Sequence, residues 1–302
     1  MDLKSKIILI YGPTASGKSN FAIKLSKKIN GEIINADSMQ VYKELKILSA
    51  RPSKNEYKKV KHHLFGFHSV KKKFSTGDWL KLAKKKIEDI KKRKKVPILV
   101  GGTGLYFKSL TDGLVSIPNI PIKFRQKVRS LHKKIGSKKF FSKLIKLDPL
   151  VKNRIKSSDA QRTIRAYEVK SFTKKSIYLW FEKTKSNYQQ KDFYKIYIDF
   201  PKDKLVERIY FRAQEMLKKG AILEVKKFNS LKVRNDKTAY KAIGIREVND
   251  YIQKKIKIAQ VIEKISIKTR QYAKRQRTWA NGNMQNWNKI NPIQLTDFLK
   301  KI

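Results

Sequence analysis

One loop pattern restricts the fold of this chain more than any other feature. The stretch YGPTASGKSN, residues 11–20, follows the apolar run KIILI and precedes KSNFAIKLSKKI, whose apolar residues recur at helical spacing. A strand, then G-x-x-x-x-G-K-[ST], then a helix is the arrangement of a phosphate-binding P-loop. Backbone N–H groups in such a loop face an anion at the helix N-terminus. The sequence therefore predicts an α/β protein with an anion site near its N-terminus.

Several side chains of this loop are suited to a phosphorylated ligand. Lys18 neutralises phosphate charge, and Ser19 is the predicted ligand of Mg²⁺, the expected cofactor. The predicted phosphate-binding residues are Gly12, Pro13, Thr14, Ala15, Ser16, Gly17, Lys18 and Ser19. The loop alone leaves three activities open: a nucleotide-hydrolysing motor, a small-molecule kinase and a transferase that releases pyrophosphate.

Two more strand candidates end in polar or glycine-rich turns. GEIINADS ends at Asp37, and VPILVGGTGLY runs into the turn that contains Thr103. The stretch TGDWLKLAKKKIEDIKKRKK between them is predicted to be a helix with Thr76 as its N-cap. Alternating strands and helices predict a parallel sheet covered by helices. Because ligands bind at the carboxyl ends of such strands, Lys18, Asp37 and Thr103 should converge.

Asp37 has two interpretations at this stage. As a general base it would accept a proton from a substrate bound opposite the P-loop. As a structural residue it would be a helix N-cap or a metal ligand.

The sequence pattern changes near Pro118, where the break IPNIP is followed by basic helical stretches. A returning strand, YKIYIDFP, is predicted at 194–201, with long helical signals from there to about Trp279. The predicted fold is therefore a P-loop NTPase-like α/β core, residues 1–117 and 191–302, with C-terminal helices. An all-helical insertion, 118–190, is predicted to contact RNA.

Charge is the strongest feature of the composition. The chain has 73 Lys and Arg against 24 Asp and Glu, a formal net charge of +49. Such a surface attracts polyanions, nucleic acid first and an anionic membrane second, although compositional drift toward Lys is an alternative source of the excess. The absence of cysteine excludes disulfides, thiolate metal sites and cysteine nucleophiles. No signal peptide or long apolar run is apparent, so we expect a cytoplasmic protein without membrane contact.

Three basic motifs are candidates for binding anions. DAQRTIRAYEV places Gln161 and Arg165 on one helical face, unless that face is merely solvated. ERIYFRAQEM places Arg208 and Arg212 one turn apart, as a diphosphate clamp or as partners of surface carboxylates. IKTRQYAKRQRTWAN, residues 267–281, interleaves cations with aromatic residues, as splayed-out RNA bases require. A membrane-surface helix is the alternative for this last stretch, but its apolar face is thin.

Taken together, these motifs resemble the tRNA dimethylallyltransferase family of bacterial type, the isopentenyl transferases that modify tRNA. The matching stretches occur in the family's order over residues 7 to about 280. They are GPTASGKS, DSMQVY, HHL, GGTGLY, QRTIRAYEV, RAQEMLKKGAILEV, KAIGIRE and TRQYAKRQRTW.

The resemblance implies a reaction and a set of site residues. Members transfer a dimethylallyl group from dimethylallyl diphosphate to the N6 amine of the adenosine 3′-adjacent to the anticodon. The implied catalytic residues are Asp37, Thr103 and Lys18, with Arg212 on the diphosphate. The implied partner is the tRNA anticodon stem-loop, bound by a monomer. The implied tRNA contacts are Asp37, Ser38, Met39, Gln40, Thr103, Arg125, Gln161, Arg162, Thr163, Ile164, Arg165, Lys241, Ile243, Gly244, Ile245, Arg246, Arg270, Lys274, Arg275, Gln276 and Arg277.

The chain departs from the family pattern at a few positions. It has SARPS at 49–53 where relatives often have GTAKP, Lys174 in place of a usual Gly, and Ile245 in place of a usual aromatic residue. These differences affect the details of how the chain would contact tRNA, not the reaction. Three rivals remain open: an adenylate isopentenyltransferase, a P-loop nucleotide kinase and a non-catalytic RNA-binding protein.

Overall fold

The computed structural model describes residues 3–235 and 237–302. The contacts between residues divide this part of the chain into two compact units. The first unit contains residues up to Thr111 and from Tyr188 onward, and the second unit is Asp112–Asn187. The insertion predicted from the sequence is 118–190.

The described residues of the first unit form one sheet of six parallel strands in the order β3-β2-β4-β1-β5-β6. The strands are β1 (Ile7–Tyr11), β2 (Gly31–Asn35), β3 (His62–His63), β4 (Val96–Gly101), β5 (Phe193–Ile198) and β6 (Asn288–Ile290). Every residue of β1 and β4 is buried, as expected for central strands with helices on both faces. The predicted fold class, a P-loop-type α/β protein, is confirmed.

Helices occur in both units, and the helices of the first unit cover both faces of its sheet. Their bounds are α1 (Lys18–Lys28), α2 (Lys54–Lys59), α3 (Thr76–Lys92), α4 (Gly104–Thr111), α5 (Ile122–Leu147), α6 (Ala160–Thr173), α7 (Ile177–Glu182), α8 (Lys202–Lys218), α9 (Ala221–Ser230), α10 (Ile245–Ile252), α11 (Ile258–Asn283) and α12 (Gln294–Lys300). Among the described residues, none of these helices combines the length and apolar character needed to cross a membrane.

The two faces of the sheet bury different sets of side chains. On one face, Trp79 and Phe107 from α3 and α4 pack with Tyr11 of β1. On the other, Phe21 and Leu25 of α1 pack against alternate residues of the same strands. Alternation of buried residues to opposite faces is the period-2 pattern of a strand, and it fixes which side each helix covers.

The cap of α3 differs from the prediction. Thr76 is the first helical residue, and Ser75 is the N-cap, because its hydroxyl accepts a hydrogen bond from Asp78 N at 3.2 Å. The Asp78 carboxylate accepts from Ser75 N at 2.9 Å in return, which completes a capping box. The predicted N-cap at Thr76 is therefore wrong by one residue. Strands β3 and β6 are also absent from the sequence prediction.

The second unit contains α5–α7 and has its own core, which includes Phe140, Leu144 and Val169. Gly136 interrupts α5 with a positive φ of 76°. Glu168 on α6 is buried, and its carboxylate lies 3.3 Å from Arg125 and 3.5 Å from Arg165. Arg129 lies 3.7 Å from the same carboxylate, so the buried group has three guanidinium partners and holds those side chains in a fixed arrangement.

We expect the tight end of β4 to tolerate no side chain. A Cβ on Gly101 would overlap the backbone of Ala36, whereas a Cβ on Gly282 of α11 meets no described atom within 4 Å. The change Gly101→Ala should therefore lower the free energy of unfolding by about 1–3 kcal/mol. The control Gly282→Ala should raise it by up to about 1 kcal/mol, because alanine favours helix. Urea denaturation of both variants measures this; equal stabilities would contradict the packing at Gly101.

Candidate anion-binding active site

The strand order brings three loops together at the carboxyl edge of the sheet. Strand β1 lies between β4 and β5, and β2 lies beside β4. The P-loop follows β1, Asp37 follows β2 and the turn 101–104 follows β4. Backbone contacts join two of these ends, since Ala36 N donates to Val100 O at 2.8 Å and Thr103 N donates to Ala36 O at 3.2 Å. The convergence at one edge is the arrangement that the sequence predicts.

The P-loop has the strained backbone of a tight turn. Gly17, with φ 84°, precedes α1, and Ala15 has φ 64°, a conformation that a non-glycine residue rarely adopts. The ammonium of Lys18 donates to Pro13 O at 3.1 Å, across the mouth of the loop. The hydroxyl of Ser16 is buried, and no described residue is its hydrogen-bond partner. A buried hydroxyl donor inside an anion loop is suited to a phosphate oxygen.

A cavity of about 600 Å³ opens beside the loop, entirely within the first unit. Its polar lining contains Thr14, Lys18, Ser19, Asp37, Ser38, Gln40, Arg208, Arg212, Lys241, Tyr272 and Arg275. Its apolar lining contains Met39, Leu48, Ile209, Ala213, Met216, Ile243 and Ile265. The cavity thus combines a cationic end with an apolar wall, and it has the size of a small-molecule site.

Two cations in this cavity are strongly desolvated. Burial lowers the pKa of Lys18 to about 8, with Arg212 lowering it further and Asp37 opposing the shift. Burial also lowers the pKa of Arg212, with Arg208 adding to that effect and Asp37 again opposing it. Neighbouring, partly buried cations favour an anionic ligand, because the anion restores the stabilisation that water provides only in part.

Asp37 is held by a local turn and by Asn35. Its Oδ1 accepts a hydrogen bond from Met39 N at 2.9 Å, and Asn35 Oδ1 accepts one from Asp37 N at 2.8 Å. The residues after Asp37 form a bend and a turn, so the helix N-cap interpretation is wrong. Asp37 lines the same cavity as Lys18 and raises the pKa of Lys18, Arg212 and Tyr272 through its charge.

Thr103 does not line the cavity itself but contacts a residue that does. Its hydroxyl accepts from Ser38 N at 2.9 Å, and Ser38 lines the cavity. Burial raises the pKa of Tyr272 on α11, Asp37 adds to the shift, and Arg275, Thr103 and Gln276 oppose it. From the same helix, Gln276 Nε2 donates to Gly102 O at 2.8 Å. The turn that carries Thr103 is thus joined both to the segment after Asp37 and to helix α11.

Arg212 is the member of the predicted clamp with a direct contact to the P-loop. Its Nη1 donates to Thr14 Oγ1 at 3.2 Å, and Arg208 stacks on Phe200 at 4.8 Å. Glu215, one of the surface carboxylates in this motif, pairs with Lys218 and Lys219 instead. Both arginines remain directed to the cavity, which they line.

Glu224, a carboxylate that was not among the residues predicted from the sequence, supports another wall of the cavity. Glu224 on α9 accepts three backbone hydrogen bonds, from Lys46 N, Ile47 N and Leu48 N, at 2.8, 2.7 and 2.9 Å. These bonds hold the loop that supplies Leu48 to the cavity. Only the motif KGAILEV carries Glu224 in the sequence, and nothing in that motif indicates a partner 176–178 residues away.

The predicted RNA contacts in the first unit differ in exposure. Side chains on the surface are Arg246, Arg270, Lys274 and Arg275, whereas Ile245 is fully buried. Arg277 lies 4.0 Å from Asp199. Gln276 is buried, with an exposed fraction of 4%, and both atoms of its amide bond to backbone groups. Gln40 likewise donates to the carbonyls of Ser49 and Ala50.

The remaining predicted RNA contacts lie in the second unit. Gln161 and Arg162 are exposed at the start of α6, while Thr163 is buried. Arg125 and Arg165 are partly exposed and share the carboxylate of Glu168. Ile164 is half-buried on the same helix.

The site offers few protein ligands for a metal ion. Among the described residues there is no group of three or more His, Asp or Glu side chains that could hold one. Ser19 and Asp37 nevertheless bring oxygen atoms to the cavity. Mg²⁺ prefers oxygen ligands and keeps several waters and substrate phosphate oxygens in such sites, so this donor set fits it.

Comparison with known proteins gives concordant matches. A family model described as IPP transferase matches residues 40–283. A tRNA dimethylallyltransferase of Pelagibacter ubique (strain HTCC1062) is 60% identical over 302 residues, covering 100% of this chain and 96% of that protein. That alignment includes the P-loop, which precedes the region matched by the family model.

Two solved structures are similar over nearly the whole chain. The full-length tRNA isopentenylpyrophosphate transferase of Bacillus halodurans has a TM-score of 0.69 at 30% identity, covering 98% of this chain and 95% of that one. A eukaryotic dimethylallyltransferase acting on tRNA has a TM-score of 0.82 at 28% identity, covering 95% of this chain and 74% of that one.

The lowered pKa of Lys18 predicts a pH-dependent anion affinity. Below about pH 8 Lys18 is charged before the anion binds; above it, binding must take up a proton. Affinity for inorganic diphosphate should therefore fall above about pH 8, approaching tenfold per pH unit. Calorimetry from pH 6.5 to 9.5 measures this. The variant Lys18→Arg keeps its charge over this range, so it is the control for titration of the diphosphate itself. Parallel profiles of affinity against pH for the wild type and the variant would contradict Lys18 as the titrating group.

Proposed function

We infer the activity from family membership: the chain belongs to the IPP transferase family, and it is a prenyltransferase that transfers a dimethylallyl group to an adenosine of tRNA. We propose that the donor is dimethylallyl diphosphate and the acceptor the N6 amine of the adenosine 3′-adjacent to the anticodon. We further propose that the enzyme acts as a monomer in the cytoplasm. The observation that supports this chemistry best is one cavity containing Lys18, Arg212 and Asp37.

The cationic end of the cavity is suited to a diphosphate leaving group. As the allylic C–O bond breaks, negative charge grows on the diphosphate and positive charge spreads over the five-carbon unit. Lys18, Arg212 and the loop N–H groups would stabilise the departing charge, each such donor being worth about 2.7–4 kcal/mol of barrier. Because Lys18 and Arg212 are already desolvated, they need little reorganisation when that charge appears.

Ser19 is the residue we propose to hold Mg²⁺, with substrate oxygens and water completing its shell. The ion, when bound, would supply further positive charge to the diphosphate. Ser16 Oγ, buried and lacking a partner among the described residues, would donate to a phosphate oxygen.

The apolar wall is suited to the five-carbon group. Leu48, Met216 and Ile265 line the cavity that Lys18 also lines. A hydrocarbon wall there would bury the methyl groups and keep water from the allylic carbon as positive charge develops. Glu224, by holding the loop that carries Leu48, would maintain this wall.

Asp37 is suited to activate the acceptor amine. One of its carboxylate oxygens is engaged by Met39 N. As the C–N bond to N6 forms, the other oxygen would accept the N6 proton, and the C–O electron pair would leave with the diphosphate. The adenine must leave its stack to reach this position, which costs a few kcal/mol. Exposed cations on α11, such as Arg270 and Lys274, would offset that cost by binding tRNA phosphates.

The first prediction that follows from the proposed function concerns the reaction itself. Unmodified tRNA incubated with the protein, dimethylallyl diphosphate and Mg²⁺ should gain N6-dimethylallyladenosine, detected by mass spectrometry of digested nucleosides. A tRNA whose anticodon-adjacent adenosine is replaced by guanosine is the control and should stay unmodified. Modification of free AMP in preference to tRNA would favour an adenylate isopentenyltransferase; an active, folded protein that only turns over ATP would favour a kinase.

The second prediction concerns Asp37. Asp37→Asn should lower kcat by about 10²–10⁴-fold, since it removes the proton acceptor. The affinity for inorganic diphosphate should stay equal or tighten, because a carboxylate that repels the anion has gone. Single-turnover assays and calorimetry measure the two effects, with Asp203→Asn, at an exposed position of α8, as the matched control. An equal loss of diphosphate and tRNA affinity, with kcat unchanged, would contradict a role in proton transfer.

A further inference from the structure

Gln276 occupies an unusual position for a residue of a cationic helix. It lies within α11, between the exposed Arg275 and the half-buried Arg277, yet its own exposed fraction is 4%. Its Oε1 accepts a hydrogen bond from Thr14 N at 2.8 Å, and its Nε2 donates to Gly102 O at 2.8 Å. Its backbone carbonyl accepts from the Tyr11 hydroxyl at 2.9 Å. One residue of α11 therefore bonds to the end of β1, to the P-loop and to the turn after β4.

The two amide bonds require both a donor and an acceptor on one side chain. A carboxylate at this position would set a second acceptor against the Gly102 carbonyl, and a hydrocarbon chain would satisfy neither backbone group. The turn itself is built for this approach, because a Cβ on Gly102 would overlap the Gln276 amide. One helical turn further on, Trp279 packs where a Cβ on Gly104 would lie.

The groups that Gln276 holds are parts of the proposed donor site. Thr14 lines the cavity, and its hydroxyl accepts from Arg212. Thr103 follows Gly102 and bonds to Ser38, next to Asp37. The P-loop is thus fixed from two sides, by Arg212 of α8 and by Gln276 of α11. A shift of the Gln276 amide would move both the diphosphate loop and the turn beside the general base.

We propose that Gln276 is a positioning residue for the diphosphate loop and the 101–104 turn rather than an RNA contact. The proposal rests on the proposed function for its catalytic consequence, but its direct consequence is the geometry of the anion site. The cations of α11 contact RNA in this scheme, while Gln276 anchors the same helix to the site of chemistry. Removing the amide should therefore lower diphosphate affinity and turnover, and leave tRNA affinity nearly unchanged.

The isosteric variant Gln276→Met tests this by removing both amide bonds. We expect the affinity for inorganic diphosphate and kcat/KM for the donor each to fall about 10- to 100-fold, the usual effect of leaving buried polar groups unpaired. The Kd for tRNA, measured by filter binding, should change less than about threefold. Gln271→Met, on the exposed face of the same helix, is the matched control for helix propensity. A loss of tRNA affinity as large as the loss of turnover would overturn the proposal.

A second variant gives a readout that a purely structural role would not move. In Gln276→Glu the neutral acid, but not the carboxylate, reproduces the acceptor for Thr14 N and the donor for Gly102 O. Its activity relative to the wild type should therefore recover as pH falls. The ionisable groups that contact this residue or line the neighbouring cavity are present in the wild type as well; they are Tyr11, Lys18, Asp37, Glu56, His62, Arg208, Arg212, Lys241, Tyr272 and Arg275. A constant ratio of variant to wild-type activity across pH would overturn the proposal.

Failure of the proposed function would be recognised separately. If the wild type does not modify tRNA, the transferase assignment fails, while diphosphate binding by wild type, Gln276→Met and Gln271→Met still decides the role of Gln276. If the wild type is active but Gln276→Met binds diphosphate as the wild type does, the positioning role fails and the transferase stands.

Discussion

The anion site depends on two partly desolvated cations that line one cavity at the carboxyl edge of a parallel sheet. Lys18 and Arg212 repel one another, and burial lowers the pKa of both. Such an arrangement destabilises the free protein unless rigid surroundings hold it. The fully buried strands β1 and β4 provide that rigidity, and Asp37 offsets part of the charge. In the proposed function, binding a diphosphate would relieve the remaining repulsion, so an electrostatic cost in the free protein would become affinity for the donor and stabilisation of the leaving group.

The supports of this site come from distant parts of the chain. Thr14 in the P-loop is held by Arg212, 198 residues away, and by Gln276, 262 residues away. Both partners belong to helices that follow β5. The C-terminal helices are therefore part of the anion site, although the sequence motif of that site ends at Ser19. Because α11 also carries exposed cations, the segment predicted to bind RNA and the segment that braces the loop are one rigid element.

Local patterns made part of this architecture predictable. The Ile- and Val-rich runs predicted β1, β2, β4 and β5, and the P-loop spacing predicted the conformation before α1, because each depends on residues adjacent in sequence. The short strands β3 and β6 carry no such pattern, and their pairing depends on neighbours already in the sheet. Glu224 and Gln276 were not predictable in their observed contacts for the same reason: a polar residue on a helix does not reveal a partner 170 or more residues away. The Gly expected at position 174 does have a local explanation, because the residue there ends α6 with a φ of 59°, a conformation that favours Gly and that Lys174 adopts under strain.

The net charge of +49 comes from cations of two kinds, those that are exposed on the surface and those that a buried carboxylate orients. Lysines on exposed helix faces contribute a diffuse attraction for RNA that salt screens, and their exact positions matter little. Arg125 and Arg165 differ, because the buried carboxylate of Glu168 fixes them at 3.3 and 3.5 Å. Burying a carboxylate is costly without partners, so this arrangement is stable only with the arginines in place. Guanidinium groups oriented in this way can recognise phosphate geometry rather than charge alone. Compositional drift toward lysine would produce exposed charge of the first kind, but it does not supply the buried carboxylate that orients Arg125 and Arg165.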